Sequence, residues 1–387
     1  MFEMFEILRI IVLLFFAIPV FVFGSYGLII LYYGKIYKPK KTEKNLTQNT
    51  ELPFVSVVTA THNEENIIKK KIDNLLATNY PKQKIELIFA DDSSDLTPSI
   101  IKEYSLKYPN IHLIEFNKRM GYSPSMFAGV NASKGNIIVL SDAGSFHDGD
   151  TVSNLVRHFS DPMIGAVSGK DIILNTDEGV GNSEAFYLRI LDLVRIAETN
   201  MDSTFYFKGE ASAVRKNLIS DLEDVSAAFD TATALSIRKK GYKTIFDPDA
   251  KFYEYAPKMR SERIKQKTTR AAHWIKILLS FKNMAFNHKY GKFGMLTMPA
   301  NFGMLMVSPV SIFLGICSLV GLSFIDTFFA FYIWGLIGIL ALFSLIISRQ
   351  LLSTFIDFEI SLLNALYQIA FTKKKHDQID TVLSTRR

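Results

Sequence analysis

The sequence predicts an α/β domain with a mostly parallel central sheet, flanked by transmembrane helices. Three observations carry that prediction. Short apolar runs alternate with helix-period segments through the middle of the chain, the pattern of β-α-β units. Acidic residues stand where several of those runs end, at Asp91-Asp92 and Asp142. Long apolar stretches lie on either side of this region.

Leu8 to Tyr33 is almost wholly apolar, and a bilayer core needs about 20 such residues. A secretory signal has a shorter apolar core and a small-residue cleavage site, which is missing here. The segment therefore reads as an uncleaved membrane span. Lys35, Lys38, Lys40, Lys41 and Lys44 follow it and put its carboxyl end in the cytoplasm by the positive-inside rule. Glu3 and Glu6 would lie outside, with Arg9 the opposing signal. Leu296 to Leu322 and Thr327 to Ile347 form a second apolar zone, a hairpin turning near Asp326. Leu351 to Phe371 carries Asp357 and Glu359, which are costly at membrane depth. An interfacial amphipathic helix fits it best, and a third carboxyl-side span is the alternative.

The expected divisions are a span over 1–34, a basic linker over 35–52 and a cytoplasmic α/β domain over 53–265. Basic interfacial helices follow over 266–292, a membrane hairpin over 293–348, and a final helix and polar tail over 349–387. The net charge of +6 is modest for 387 residues and makes no case for nucleic acid. The single cysteine, Cys317, excludes a disulfide framework and a Cys-rich zinc site.

Phe54–Ala60 is a continuous apolar strand. Asn63 is suited to cap the next helix, whose buried side is Ile67, Ile68, Ile72, Leu75 and Leu76. Ile85–Ala90 is a strand, Thr97–Tyr108 a helix, Ile111–Glu115 a strand and Ser123–Ala132 a helix. Ile137–Leu140 is a strand that runs into Ser141-Asp142-Ala143-Gly144, and Thr231–Lys240 is a helix further on. A carboxylate at the carboxyl end of a parallel strand lies where open α/β sheets bind ligands. There it can hold a divalent cation, and the cation a diphosphate. Thr61-His62-Asn63-Glu64-Glu65 stands where a dinucleotide-binding domain has Gly-x-Gly-x-x-Gly, and no Walker phosphate loop appears. Metal and basic side chains must then share the phosphate.

From Pro53 to Trp274 these pieces resemble the family 2 glycosyltransferases, inverting enzymes of the GT-A fold that use nucleotide sugars. Val55–Glu65 resembles the family's first strand and Tyr-Asn-Glu-Glu turn, with His62 in place of Tyr. Leu87–Asp95 resembles its Asp-Asp-Gly-Ser piece, Ser141-Asp142-Ala143-Gly144 its Asp-x-Asp motif, and Asp230 through Ala250 its Asp-helix-Gly-Tyr-strand-Pro-x-Ala pattern. The resemblance implies donor binding by Thr61, Glu64, Asp91, Asp92 and Asp142, with Asp92 accepting from N3–H of uracil. It implies Mg²⁺ or Mn²⁺ on Asp142, and Asp230 as the base that takes the acceptor proton. Lys267 and Arg270 would meet the pyrophosphate, and Glu210 and Trp274 the acceptor.

Bland readings stand beside these. Asp91 and Asp92 can form an Asx turn before Ser93-Ser94; Asp142 can be a turn former, Asp230 an N-cap, and the basic residues from Arg263 to Arg270 an interfacial face. Glu223 and Asp224 are rival bases. Gly144 replaces the second metal carboxylate, leaving His147 or Asp148 as substitutes, and Tyr122 stands where the family has Lys, leaving Lys118 or Arg119. Helix-end polarity would lower the Asp230 pKa and apolar burial would raise it.

The expected protein is a multi-pass cell-membrane enzyme with a cytoplasmic catalytic domain. It would move a sugar from a nucleotide donor, UDP above all, to a polysaccharide or polyprenyl-linked acceptor, with the bilayer as a partner. Single transfer to a polyprenyl phosphate and a non-catalytic, nucleotide-sugar-binding subunit are the alternatives. A transporter finds little polar pathway to support it.

Overall fold

The computed structural model describes residues 2–36, 52–178, 180–219 and 229–371. Most of the basic linker, Glu223, Asp224 and the polar tail lie outside those residues.

One eight-stranded sheet organises the middle of the chain. Its strands are β1 (Val55–Thr61), β2 (Ile85–Asp91), β3 (Ile111–Glu115), β4 (Ile137–Asp142), β5 (Phe146–His147), β6 (Ile164–Ile173), β7 (Ala211–Arg215) and β8 (Lys243–Glu254), in the order β3-β2-β1-β4-β7-β6-β8-β5. β1, β2, β3 and β4 are mutually parallel where they pair, and β6 pairs β8 in parallel. β7 runs antiparallel between β4 and β6, and β5 antiparallel to β8. The parallel strands are mostly apolar because both faces are covered, and buried polar side chains pair internally, as Ser56 Oγ does with Glu86 Oε1 (2.6 Å). Val57, Leu87 and Val139 enter one core, and their neighbours Val58, Ile88 and Leu140 enter the opposite one.

Helices α2 (Ile68–Leu76), α3 (Thr97–Lys107), α4 (Tyr122–Ala132), α5 (Thr151–Val156), α6 (Gly181–Met201), α7 (Lys216–Ile219) and α8 (Phe229–Lys239) surround the sheet. α4 presses tightly on β1: a Cβ at Gly129 would lie 2.4 Å from Val58 Cγ1. Only a hydrogen at that position permits so close a helix-to-sheet approach.

Asn63 does not cap α2, whose first turn starts five residues later with Ile67 at the cap position. Its φ is 55°, the left-handed region that Asn tolerates better than most residues. There its Oδ1 accepts from Ser94 N (2.9 Å) and its own N–H donates to Ser93 Oγ (2.8 Å). Asn63 thereby ties the loop after β1 to the loop after β2.

α1 (Phe2–Leu31), α11 (Ser308–Leu322) and α12 (Thr327–Ile347) belong to the apolar zones, with the short α10 (Met298–Phe302) preceding α11. Three helical runs, Phe5–Lys35, Phe293–Leu322 and Thr327–Ile347, are long and apolar enough to cross a membrane. Ser311 Oγ donates to the Phe15 carbonyl (2.9 Å), and Arg9 pairs with Asp326 (2.5 Å). At the other end of α1, Tyr26 OH donates to Glu198 Oε1 (2.5 Å), and Asn200 Nδ2 donates to the Tyr33 carbonyl (2.9 Å). α1 is thus bonded directly to α6.

α9 (Arg260–Ser280) and α13 (Arg349–Phe371) pack along each other. Asp357 of α13 is buried between Arg260 and Arg263, each 2.6 Å away, and Arg263 also meets Glu184 at 2.7 Å. The carboxylate that argued against a membrane span is an intramolecular ion-pair partner. Asp357→Ala leaves the Arg263 guanidinium buried with one carboxylate fewer. It is expected to lower stability by about 3–5 kcal/mol, read as a fall in the thermal unfolding midpoint of the detergent-solubilised protein.

Candidate active site

The parallel register brings the acidic residues to one edge. Thr61 lies opposite Asp91, and Ala60 lies opposite Asp142. Asp91, β1 and Asp142 therefore occupy neighbouring strand ends, spaced by about 4.8 Å per strand, at the carboxyl end of the sheet.

The two adjacent aspartates have different environments. Asp91 is fully buried, and its carboxylate accepts from Thr61 Oγ1 (2.5 Å), Ser93 Oγ (2.7 Å) and Ser93 N (3.2 Å). Burial raises its pKa against those hydrogen bonds. Thr61 and Asp91 close on each other inside the loop, so the Asx-turn reading describes Asp91. Asp92 faces the other way. Its Oδ2 accepts from Met120 N and Gly121 N, both at 2.8 Å, and its Oδ1 lies 2.8 Å from His62 Nδ1. Arg119 Nη1 donates to His62 Nε2 at 2.6 Å, which assigns the ring proton to Nδ1, donating to Asp92. Asp92 thus holds the loop before α4 against the strand edge. Glu64 is half-buried beside it, with its N–H donating to Thr97 Oγ1 (2.8 Å).

Asp142, Glu210 and Asp230 form the electrostatic centre. Asp142 ends β4, Glu210 precedes β7, and Asp230 lies in the first turn of α8. Burial, then the charges of Glu210 and Asp142, push the Asp230 pKa well above the ordinary carboxyl range. A hydrogen bond from the Gly209 backbone only partly opposes this. Between the two expectations for this residue, burial wins over the helix end. Its Oδ1 is buried and finds no hydrogen-bond partner among the described residues. A Cβ at Gly209 would lie 2.1 Å from that oxygen, so the Asp230 carboxyl tip keeps this position only while residue 209 has no side chain.

Tyr122, at the position of the family's Lys, donates to Asp142 Oδ1 at 2.9 Å. Burial and the charges of Asp142 and Asp230 hold its phenol well above its usual pKa, so it remains a donor. Arg270 Nη2 is 3.8 Å from Glu210 Oε1. Although burial works against it, the Glu254 and Glu210 carboxylates raise the guanidinium pKa further.

Lys267 and Trp274 lie to one side. Lys267 is buried 3.1 Å from Glu184 and 3.2 Å from the centre of the Tyr187 ring. Burial depresses its pKa to about 7, against the pull of Glu184. Trp274 packs edge-on to Tyr206, with ring centres 5.0 Å apart. Together with Tyr187, Lys208, Arg270 and Phe358 they line a pocket between α6, α9 and α13. The interfacial reading of the basic α9 residues fails for Arg263 and Lys267, which are buried against carboxylates.

His147 and Asp148 do not substitute for the second metal carboxylate. His147 Nε2 lies 3.0 Å from Ser141 Oγ and 3.1 Å from the Glu210 carbonyl, and burial lowers its pKa to about 3. Asp148 accepts from Tyr253 OH at 3.1 Å. Among the described residues no group of three or more His, Cys, Asp or Glu is arranged to chelate an ion. Asp142 alone, close to two further carboxylates and an orphaned buried oxygen, still fits an ion that keeps most of its waters.

Residues 56–246 match the model for glycosyl transferase family 2, and the chain carries a glycosyltransferase domain of that family with the GT-A fold. It is 29% identical over 255 residues to the probable glycosyltransferase YdaM of Bacillus subtilis (strain 168), covering 62% of this chain and 59% of that relative. It is 23% identical over 273 residues to the poly-beta-1,6-N-acetyl-D-glucosamine synthase of Staphylococcus aureus (strain MSSA476), covering 69% of this chain and 66% of the synthase. The chain therefore matches about three-fifths to two-thirds of these relatives' lengths. The mannosyltransferase PcManGT from Pyrobaculum calidifontis, solved with GDP-Man and Mn²⁺, superposes with a TM-score of 0.77 over 95% of this chain and 100% of that one, at 23% identity.

The raised Asp230 pKa has a consequence for stability. An unfolded aspartate titrates near about 3.9, so above that pH the folded state binds the extra proton and loses stability as pH rises towards its own higher pKa. Asp230→Asn removes this loss. In metal-free buffer, the variant's unfolding midpoint is expected to match wild type near pH 4 and to exceed it increasingly as pH rises; parallel midpoint curves would contradict the assignment.

Proposed function

We propose that this chain is a membrane-anchored inverting glycosyltransferase with its catalytic domain in the cytoplasm. It moves a sugar from a nucleotide donor, UDP-sugar first among them, to a hydroxyl of a polysaccharide or polyprenyl-linked acceptor. The carrying observation is the meeting of Asp142, Glu210 and Asp230 with Tyr122 and Arg270 at one sheet edge. A polymer acceptor is supported by the relatives' names, a polysaccharide synthase among them, and donor binding at Asp92 and Glu64 by the resemblance of their loops to the family's.

The chain's residues divide the work. Asp142 would hold Mg²⁺ or Mn²⁺, and that ion, when bound, offsets the charge that gathers on the departing diphosphate. Arg270 adds a fixed positive charge. Tyr122 donates to Asp142 and fixes its rotamer. Asp230, its pKa raised by burial, accepts the acceptor hydroxyl proton. The new C–O bond forms at the anomeric carbon as the bond to the diphosphate breaks on the opposite side, which inverts that carbon. A weakly solvated carboxylate is a stronger base than an exposed one.

A second acceptor reading has its own support. The pocket lined by Lys208, Lys267 and Arg270 with Tyr187 and Trp274 combines cations with aromatic surface. That chemistry suits a phosphate on a hydrocarbon chain, and single transfer to polyprenyl phosphate follows. Membranes incubated with radiolabelled UDP-sugars distinguish the two by whether label enters a lipid-soluble or a polymeric product.

Asp230→Asn is expected to lower nucleotide release by about 10²–10⁴-fold while donor affinity stays within a few-fold of wild type. Unchanged turnover would remove the base, and absence of turnover in wild type with retained donor binding would favour a non-catalytic subunit. Gly209→Ala is expected to fold, because only a side-chain tip must move, and to lower kcat with little change in donor KM. Wild-type kcat in that variant would place the working carboxyl elsewhere.

A further inference from the structure

α2 presents one buried cation to the back of the Asp142 turn. Lys71 is fully buried although it follows Lys69 and Lys70 in a run that reads as a solvated face. Its Nζ donates to Ser141 Oγ (2.7 Å) and to the Ser145 carbonyl (2.5 Å). Those two residues bracket Asp142, so one ammonium closes the turn from behind. Asn74, one helical turn on, exchanges two hydrogen bonds with the His147 backbone, both 2.8 Å. Ser145 Oγ donates to the Glu210 carbonyl at 2.9 Å, and His147 Nε2 lies 3.1 Å from it. The network therefore joins the backbone that carries Asp142 to the backbone that carries Glu210.

The energetics point away from a stabilising role. An ammonium removed from water is costly unless a counter-charge and hydrogen bonds offset it. Lys71 has two neutral acceptors, and burial outweighs the attraction of Asp142, lowering its pKa to about 7. A methionine of similar length would fill the same space without that penalty.

We propose that Lys71 is a positioning residue for the donor site: by tying both ends of the Asp142 turn to α2, it holds the Asp142 carboxylate where a metal-bound nucleoside diphosphate is received. Its positive charge acts in the same direction, because the complex of a divalent ion with a nucleoside diphosphate is a net anion. Bare metal ions feel the opposite force, so the effect belongs to the complex and not to the ion alone. The inference rests on the reading of Asp142 as the donor-site carboxylate.

The test is calorimetric titration of the full-length protein in detergent with UDP and with GDP, in the presence and absence of Mn²⁺, alongside thermal unfolding. Lys71→Met is expected to keep or raise the unfolding midpoint and to weaken Mn²⁺·nucleotide binding by about 10–100-fold. Metal-free nucleotide affinity is expected to fall less. A merely structural lysine would lower the midpoint and leave the affinity of the folded fraction unchanged; that result, or wild-type Mn²⁺·nucleotide affinity in a stable variant, overturns the proposal. Should Lys71→Met fail to fold, Ser141→Ala keeps the ammonium and removes one of its two anchors. It is then expected to weaken Mn²⁺·nucleotide binding several-fold, and unchanged affinity overturns the proposal. Failure of the wild-type protein to bind either Mn²⁺·nucleotide would instead overturn the donor-site reading, and the role of Lys71 with it.

Discussion

Like charges crowded into a poorly solvated corner constrain everything around them. Asp142, Glu210 and Asp230 act on the same neighbours; Glu210 is buried and the other two are half-buried, so little water screens them. Two unit charges repel far more strongly in such surroundings than in bulk water. The protein tolerates the arrangement through the raised pKa of Asp230, the Tyr122 hydroxyl on Asp142 and Arg270 beside Glu210. Such a site has an unmet demand for positive charge. On the proposed reading, a divalent cation meets that demand and the Asp230 carboxylate takes the acceptor hydroxyl proton.

The scaffold delivers these groups by three separate routes. Parallel pairing of β1, β2 and β4 fixes Asp142 and the Asp91–Asp92 loop at one level. Antiparallel β7 returns the chain so that Glu210 enters at the same edge. α8 adds Asp230 through its first turn, against the backbone of Gly209. The segment between α6 and β7 is held in turn by buried Glu198, which accepts from Thr204 Oγ1 (2.8 Å), Phe205 N (2.9 Å) and Tyr26 OH (2.5 Å). A helix apolar enough to cross a membrane is therefore joined through Glu198 to the segment that leads to Glu210.

Much of this was legible in the chain, and the failures have physical reasons. Mostly apolar runs, two of them ending in aspartate, located β1, β2 and β4 to within two residues, because strands covered on both faces leave little room for polar alternation. Asp230 at the start of a helix was read correctly, and so was the conflict over its pKa; only the tertiary burial decides the sign. Lys71 was invisible because three consecutive lysines look alike in sequence, while helical periodicity turns just one of them inward. Asp91 and Asp92 were both read as donor-binding; Asp91 closes an internal loop with Thr61 and Ser93, whereas Asp92 takes the backbone N–H groups of Met120 and Gly121. Asn63 reads as a helix cap by composition, yet the loop needs its left-handed backbone instead. Asp357 marked α13 as unsuited to hydrocarbon, but nothing local named its partners Arg260 and Arg263, nearly a hundred residues earlier.

The most direct examination of the central claim is a crystal of the protein soaked with Mn²⁺ and UDP, with the metal located by anomalous scattering. The expected result is a single strong manganese peak bound to Asp142 and to the diphosphate oxygens, with Asp230 facing the opposite side of the sugar position. A peak remote from Asp142, or nucleotide bound there with no manganese beside it, would contradict the assignment of this corner as the donor site.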